Sequence, residues 1–238
     1  MGGRGASKGH ARASRAAQLL GGGGSATDDG LSDAEYKELE AYLKAKYPTA
    51  KDIEKALPGV RIVYTSSRNM KKAEQEMLAR AGADVLSGLM DKYPVEGETR
   101  LKEFGVKNLV VAWGKDYDGA YAVFGDGKLN IDSDYNLKKL TREYTQCKQT
   151  GWMSTGGVSG LISHEYGHTV GDHLIATGKM KEADMKKAFK STKLSSQYAK
   201  TDHHEAWAES FAKIATGGKV EAGTFDAFVQ GVLTKNYA

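Results

Sequence analysis

The chain has 238 residues, 40% hydrophobic and 27% charged, enough for one large core, and no apolar run reaches the length of a membrane span. Its formal charge of +4 sits at the front, where Arg4, Lys8, Arg12 and Arg15 occur without an acid in the first 27 residues. The near-neutral remainder lacks the basic face of a nucleic-acid binder, and the single Cys147 excludes an internal disulfide framework or a thiolate metal site.

Residues 1–30 are rich in Gly, Ala and Ser, with Gly21 to Gly24 in succession, and read as a disordered basic tail without the apolar core of a secretory signal. Residues 31–238 are expected to form one α+β domain, with a helical part over 31–95 and a catalytic part over 96–238. Ser32 and Glu35 make a capping box that opens a helix closing before Pro48. A short helix follows from Thr49 to Leu57, then a strand over Val60 to Tyr64. From about Asn69 to Tyr93 a helix is expected, with Met70, Ala73, Met77, Ala81, Leu86 and Leu89 facing the core.

In the middle, Asn108 to Trp113, Ala120 to Phe124 and Lys128 to Asp132 read as strands, the last two joined by a turn at Gly125-Asp126-Gly127. With Val60 to Tyr64 they make a small mixed sheet. The Lys128 to Asp132 strand is expected at its edge, either able to pair with an extended peptide or simply capped. Asn136 to Gln149 is a basic amphipathic helix with Lys138, Lys139, Arg142 and Lys148 on its solvated face. After a turn at Trp152 to Gly157, Thr155 or Ser159 is placed to cap the helix that follows. Further helices fit Lys181 to Ser191, His203 to Thr216 and Phe225 to Leu233.

The helix after residue 157 carries His164-Glu165-Tyr166-Gly167-His168, an HExxH pattern. On a helix its two histidines lie about 40° apart around the axis, so both imidazoles leave one face. That suits two nitrogen ligands to one divalent ion, normally Zn2+, with Glu165 beside the open position as general base. A tetrahedral site still lacks one protein ligand. His173 is one residue early for the third histidine of an HExxHxxGxxH pattern, a rotation of about 100°. Glu205, in His204-Glu205-Ala206-Trp207-Ala208-Glu209-Ser210-Phe211, is the better candidate. Glu209, one turn on, is placed to accept the other ring N–H of a ligating histidine.

HEYGH followed some thirty residues later by SQYAKTDHHEAWAESFA resembles the catalytic domain of lethal-factor-type metallopeptidases, within the gluzincins. The resemblance runs from Leu161 to Ile214. It implies a zincin-like fold with a C-terminal helical part carrying the third ligand, zinc held by His164, His168 and Glu205, and Glu165 as base. It also implies Tyr198 as oxyanion stabiliser or acid, Glu209 supporting a ligand, and a protein or peptide substrate. Trp207 stands where the family has Phe. The opening MGGRGASKG is similar to that of many small bacteriophage and prophage proteins. The expected function is a zinc endopeptidase, cytoplasmic or virion-associated, with no nucleic acid or membrane partner. The alternative is a virion-associated structural protein of the same fold that needs no proteolysis.

Overall fold

The computed structural model describes residues 15–21, 31–65, 70–95, 104–113, 120–132 and 135–238. The first element departs from the expected tail. Residues 15–20 form a helical segment, α1, that buries Ala16, Leu19 and Leu20 in the core, and Arg15 pairs with Glu35 at 3.0 Å. The spacing Ala16, Leu19, Leu20 puts three apolar side chains on one helical face, a signal that the surrounding glycines mask. The rest of the tail, 1–14 and 22–30, lies outside the described residues.

Helix α2 (Asp33–Lys46) starts at the Ser32–Glu35 capping box and buries Leu39 and Leu43. Helix α3 (Ala50–Ala56) has its own box from Thr49 and Asp52. Strand β1 (Arg61–Tyr64) leads to α4 (Lys72–Lys92), which buries Met77, Ala81, Leu86 and Leu89, while Ala73 faces solvent. Strands β2 (Asn108–Trp113), β3 (Ala122–Gly125) and β4 (Lys128–Asp132) complete a four-stranded mixed sheet in the order β1-β2-β4-β3. The β1–β2 and β2–β4 pairs are parallel and β3–β4 is antiparallel. Because β1 and β2 pair along their length, the parts over 31–95 and 96–238 share one sheet.

The hairpin closes through Asp126 and Gly127, both at positive φ (50° and 69°), the mirror-image turn whose twist matches paired strands. Its consequence corrects the expected edge. Strand β4 is paired on both sides, and β3 is the edge strand at this end of the sheet, with β1 at the other. The parallel pairing of β4 with β2 decides this, and strand composition does not encode it.

Helix α5 (Leu137–Gln149) is capped by Asn136. Helix α6 (Gly157–Ala176) has small or apolar residues on nearly every side and is buried accordingly, packed against α4, α5, α8 and β3. Its N-cap is Gly156, and neither Thr155 nor Ser159 caps it. After α7 (Glu182–Ser191) and a single 3-10 turn (Tyr198–Lys200) come α8 (His203–Ala215) and α9 (Phe225–Tyr237).

Helix α8 lies on α6 over two glycines one turn apart. A Cβ on Gly171 would stand 2.7 Å from Trp207 Nε1, and one on Gly167 would stand 3.1 Å from Ala208 Cα. Trp207 Nε1 donates to Gly167 O at 2.9 Å, so the indole is both wedge and anchor. Gly171→Ala should therefore push the two helices apart. We expect a loss of about 1–3 kcal/mol in denaturant unfolding, the usual cost of overpacking. Unchanged stability would mean that the contact yields freely.

Candidate metal centre

His164 and His168 leave the same face of α6, and the first turn of α8 brings Glu205 to them. Glu205 Oε2 lies 3.1 Å from His164 Nε2 and 3.4 Å from His168 Nε2, and the two imidazole nitrogens are 3.3 Å apart. Ligands at about 2.0–2.1 Å from a tetrahedral zinc stand about 3.3 Å from one another, so the triangle has the size that such an ion requires. Two imidazoles and one carboxylate are also the donor types that favour a transition ion over calcium or magnesium. A second observation agrees. Glu205 Oε2 is buried without a properly directed hydrogen bond, although both rings are near it. An oxygen in that position, 3.1 and 3.4 Å from the two Nε2 atoms, could meet a cation held between the rings.

Behind the triangle sits Glu209, fully buried. His164 Nδ1–H donates to Glu209 Oε1 at 2.9 Å, so in the neutral ring the Nε2 lone pair faces Glu205 and His168. The other carboxylate oxygen accepts from Ser154 N at 2.5 Å and from Ser196 Oγ at 2.7 Å. Ser196 Oγ in turn accepts from Ala199 N at 3.0 Å, within the turn that carries Tyr198. One carboxylate thus ties a histidine to two loops. Sequence reasoning placed Glu209 but missed Ser154 and Ser196. Ser154 contributes its backbone N–H, which leaves no mark on residue type, and Ser196 is an unremarkable serine two places before Tyr198.

The charges interlock. Burial alone would lower the His164 pKa, but the adjacent carboxylates of Glu205 and Glu209 outweigh it and push the ring up to about 10. Burial would raise Glu205, yet the imidazoles of His164 and His168 hold it well below the usual carboxylate range. Glu209 is depressed by the same balance, burial opposed chiefly by His164. Tyr198 is pushed up by burial and by Glu205 and Glu165, so it remains a protonated donor at neutral pH. Its ring lies 5.7 Å from that of His164.

Glu165 is buried at the floor of a cavity of about 490 Å³ that also touches His164, His168, Tyr198 and Glu205. Its Oε2 accepts the N–H of Phe124 on the open strand β3 at 3.0 Å. Asp172 and His204 line the same cavity, and burial raises the Asp172 carboxyl. His173 does not join the cluster. It is buried rather than solvated, with Nδ1 unpartnered, and burial lowers its pKa. A second His/Glu group among the described residues, Glu182, His203 and His204, is less suited to an ion. Lys186 Nζ already lies 2.7 Å from the same Glu182 oxygen and helps hold that carboxyl down to about 2.

Comparison with protein-family models, curated proteins and solved structures finds no match to this chain.

Two expectations follow from this geometry. Glu209→Ala should weaken zinc affinity by about 10–100-fold in a competition titration, since it frees the ring that it orients. Zinc must also displace the His164 proton. Apparent affinity should therefore rise about tenfold per pH unit between pH 6 and 8, with about one proton released per ion by calorimetry in buffers of different ionisation enthalpy. A flat pH profile would mean that the rings are already neutral.

Proposed function

We propose that the chain is a zinc-dependent endopeptidase of gluzincin type, with His164, His168 and Glu205 holding the ion. The observation that carries this reading is the triangle of donors with the Glu165 carboxylate beside it in one cavity. A zinc ion bound there would supply Lewis-acid polarisation of a carbonyl and would acidify water. The residues of the chain account for the remaining chemistry.

Phe124 N–H restrains Glu165 Oε2, and among the described residues no hydrogen bond reaches Oε1. That oxygen is free to take a proton from the attacking water as the water oxygen bonds to the carbonyl carbon. Tyr198 O–H donates to the carbonyl oxygen as negative charge develops on it. When the C–N bond breaks, Glu165 returns the proton to the leaving amine nitrogen. Glu209 keeps His164 in the tautomer that ligates, and through Ser196 it holds the turn on which Tyr198 sits.

The open strand β3 beside this cavity favours a protein or peptide substrate, since an extended chain can add to a sheet edge. The tests are zinc content and cleavage of a denatured protein mixture, for the native chain and for Glu165→Gln. Near-stoichiometric zinc in both is expected, with cleavage reduced by at least about 10²-fold in the variant. Zinc without Glu165-dependent cleavage would overturn the reading in favour of a structural or virion-associated protein.

A further inference from the structure

Apart from the first donor triangle, the start of α7 meets the start of α8 at Glu182, His203 and His204, whose ligating atoms all lie within 4.8 Å of one another. Glu182 Oε1 is 3.1 Å from His203 Nε2 and 3.7 Å from His204 Nε2, and the two imidazole centroids are 4.2 Å apart. Donors around a tetrahedral zinc stand about 3.3 Å from one another. This triangle is slightly wide on one side, and closing it takes only a small side-chain movement. Glu182 and His204 are 41% and 42% exposed at their side chains, so that movement is made against solvent.

The scaffold that presents these donors is local. Asp202 caps α8, accepting from His204 N at 2.6 Å and from Glu205 N at 3.1 Å, which fixes the backbone beneath both rings. Phe189 on α7 packs on the His203 ring at 62°, with centroids 6.4 Å apart. Two features keep the affinity below that of the first triangle. Lys186 Nζ lies 2.7 Å from Glu182 Oε1, and both helices present their N-terminal, positive ends. Neither forbids an ion. Lys186 and Glu182 form an exposed i,i+4 pair of the kind that contributes little, so a cation can displace the lysine. The helix-end effect on exposed groups is small and screened by salt.

We propose that Glu182, His203 and His204 form a second, weaker site for a divalent transition ion, Zn2+ above all, that fills after the first and joins α7 to α8. Two imidazoles and one carboxylate suit Zn2+, Ni2+ or Cu2+ better than Ca2+ or Mg2+. Water completes the coordination on the solvent side. His204 also lines the cavity that contains His168, Glu165 and Glu205, so the second ion ties one wall of that cavity to α7. The site needs no catalysis and does not rest on the peptidase reading.

The test is a titration of Zn2+ into the full chain, stripped of metal by a chelator, followed by calorimetry and by thermal unfolding. Two binding steps are expected, the second weaker than the first. In Glu182→Gln and in His203→Gln the second step should be lost and the first kept, the kept step showing that the chain has folded. Lys186→Gln should act in the opposite direction and tighten the second step by up to about fivefold, since it removes the competitor. Zinc beyond the first equivalent should raise the unfolding midpoint of the native chain further but leave that of Glu182→Gln where one equivalent puts it. A single step that survives Glu182→Gln, or a second step that survives both Glu182→Gln and His203→Gln, would overturn the proposal. A single step that Glu182→Gln abolishes keeps this site and sinks the first one together with the peptidase reading, and no binding at all sinks both.

Discussion

The close approach of α8 to α6 is the constraint on which the rest of the site depends. Glycine at 167 and 171 removes the side chains that would hold the helices apart, and Trp207 fills the groove and donates to the buried carbonyl of Gly167. Only at that separation can a glutamate side chain on α8 reach the imidazoles of α6. Trp207 therefore does more than stand in for another aromatic. Its indole N–H gives the contact a direction that a phenyl ring could not supply.

The same contact buries Glu209, a costly act unless the carboxylate is fully bonded. It is: a ring N–H, a backbone N–H and a hydroxyl meet its two oxygens. Those bonds draw in the loop at Trp152 and Ser154 and the turn at Ser196 to Tyr198. The proposed ligand set and oxyanion donor thus hang from one buried carboxylate, and a disturbance at either reaches the other through it. Glu205 is the opposite case. One of its oxygens is buried with no directed hydrogen bond. A carboxylate oxygen left unmet between two imidazoles is a donor that a cation could satisfy.

Electrostatics and topology converge on the open strand β3. It is short, and one of its outward N–H groups is already satisfied by Glu165. This limits indiscriminate pairing at an exposed edge while leaving Ala122 available. The hairpin turn places Ala122 to Gly125 outside Lys128 to Asp132, beside the Glu165 carboxylate.

What the amino-acid sequence determined was local. The Ser32–Glu35 and Thr49–Asp52 boxes, the Asp126-Gly127 turn and the shared face of His164 and His168 are set by residue types a few positions apart. Helical and strand geometry converts such spacing directly into position. The apolar face of α1 was written in the same code but hidden among glycines. Tertiary structure alone decided the strand order, the burial of His173 and the meeting of Glu209 with His164, 45 residues apart. These depend on long-range packing, in which the backbone N–H groups of Ser154 and Phe124 take part, and a backbone amide is the same for every residue that carries one.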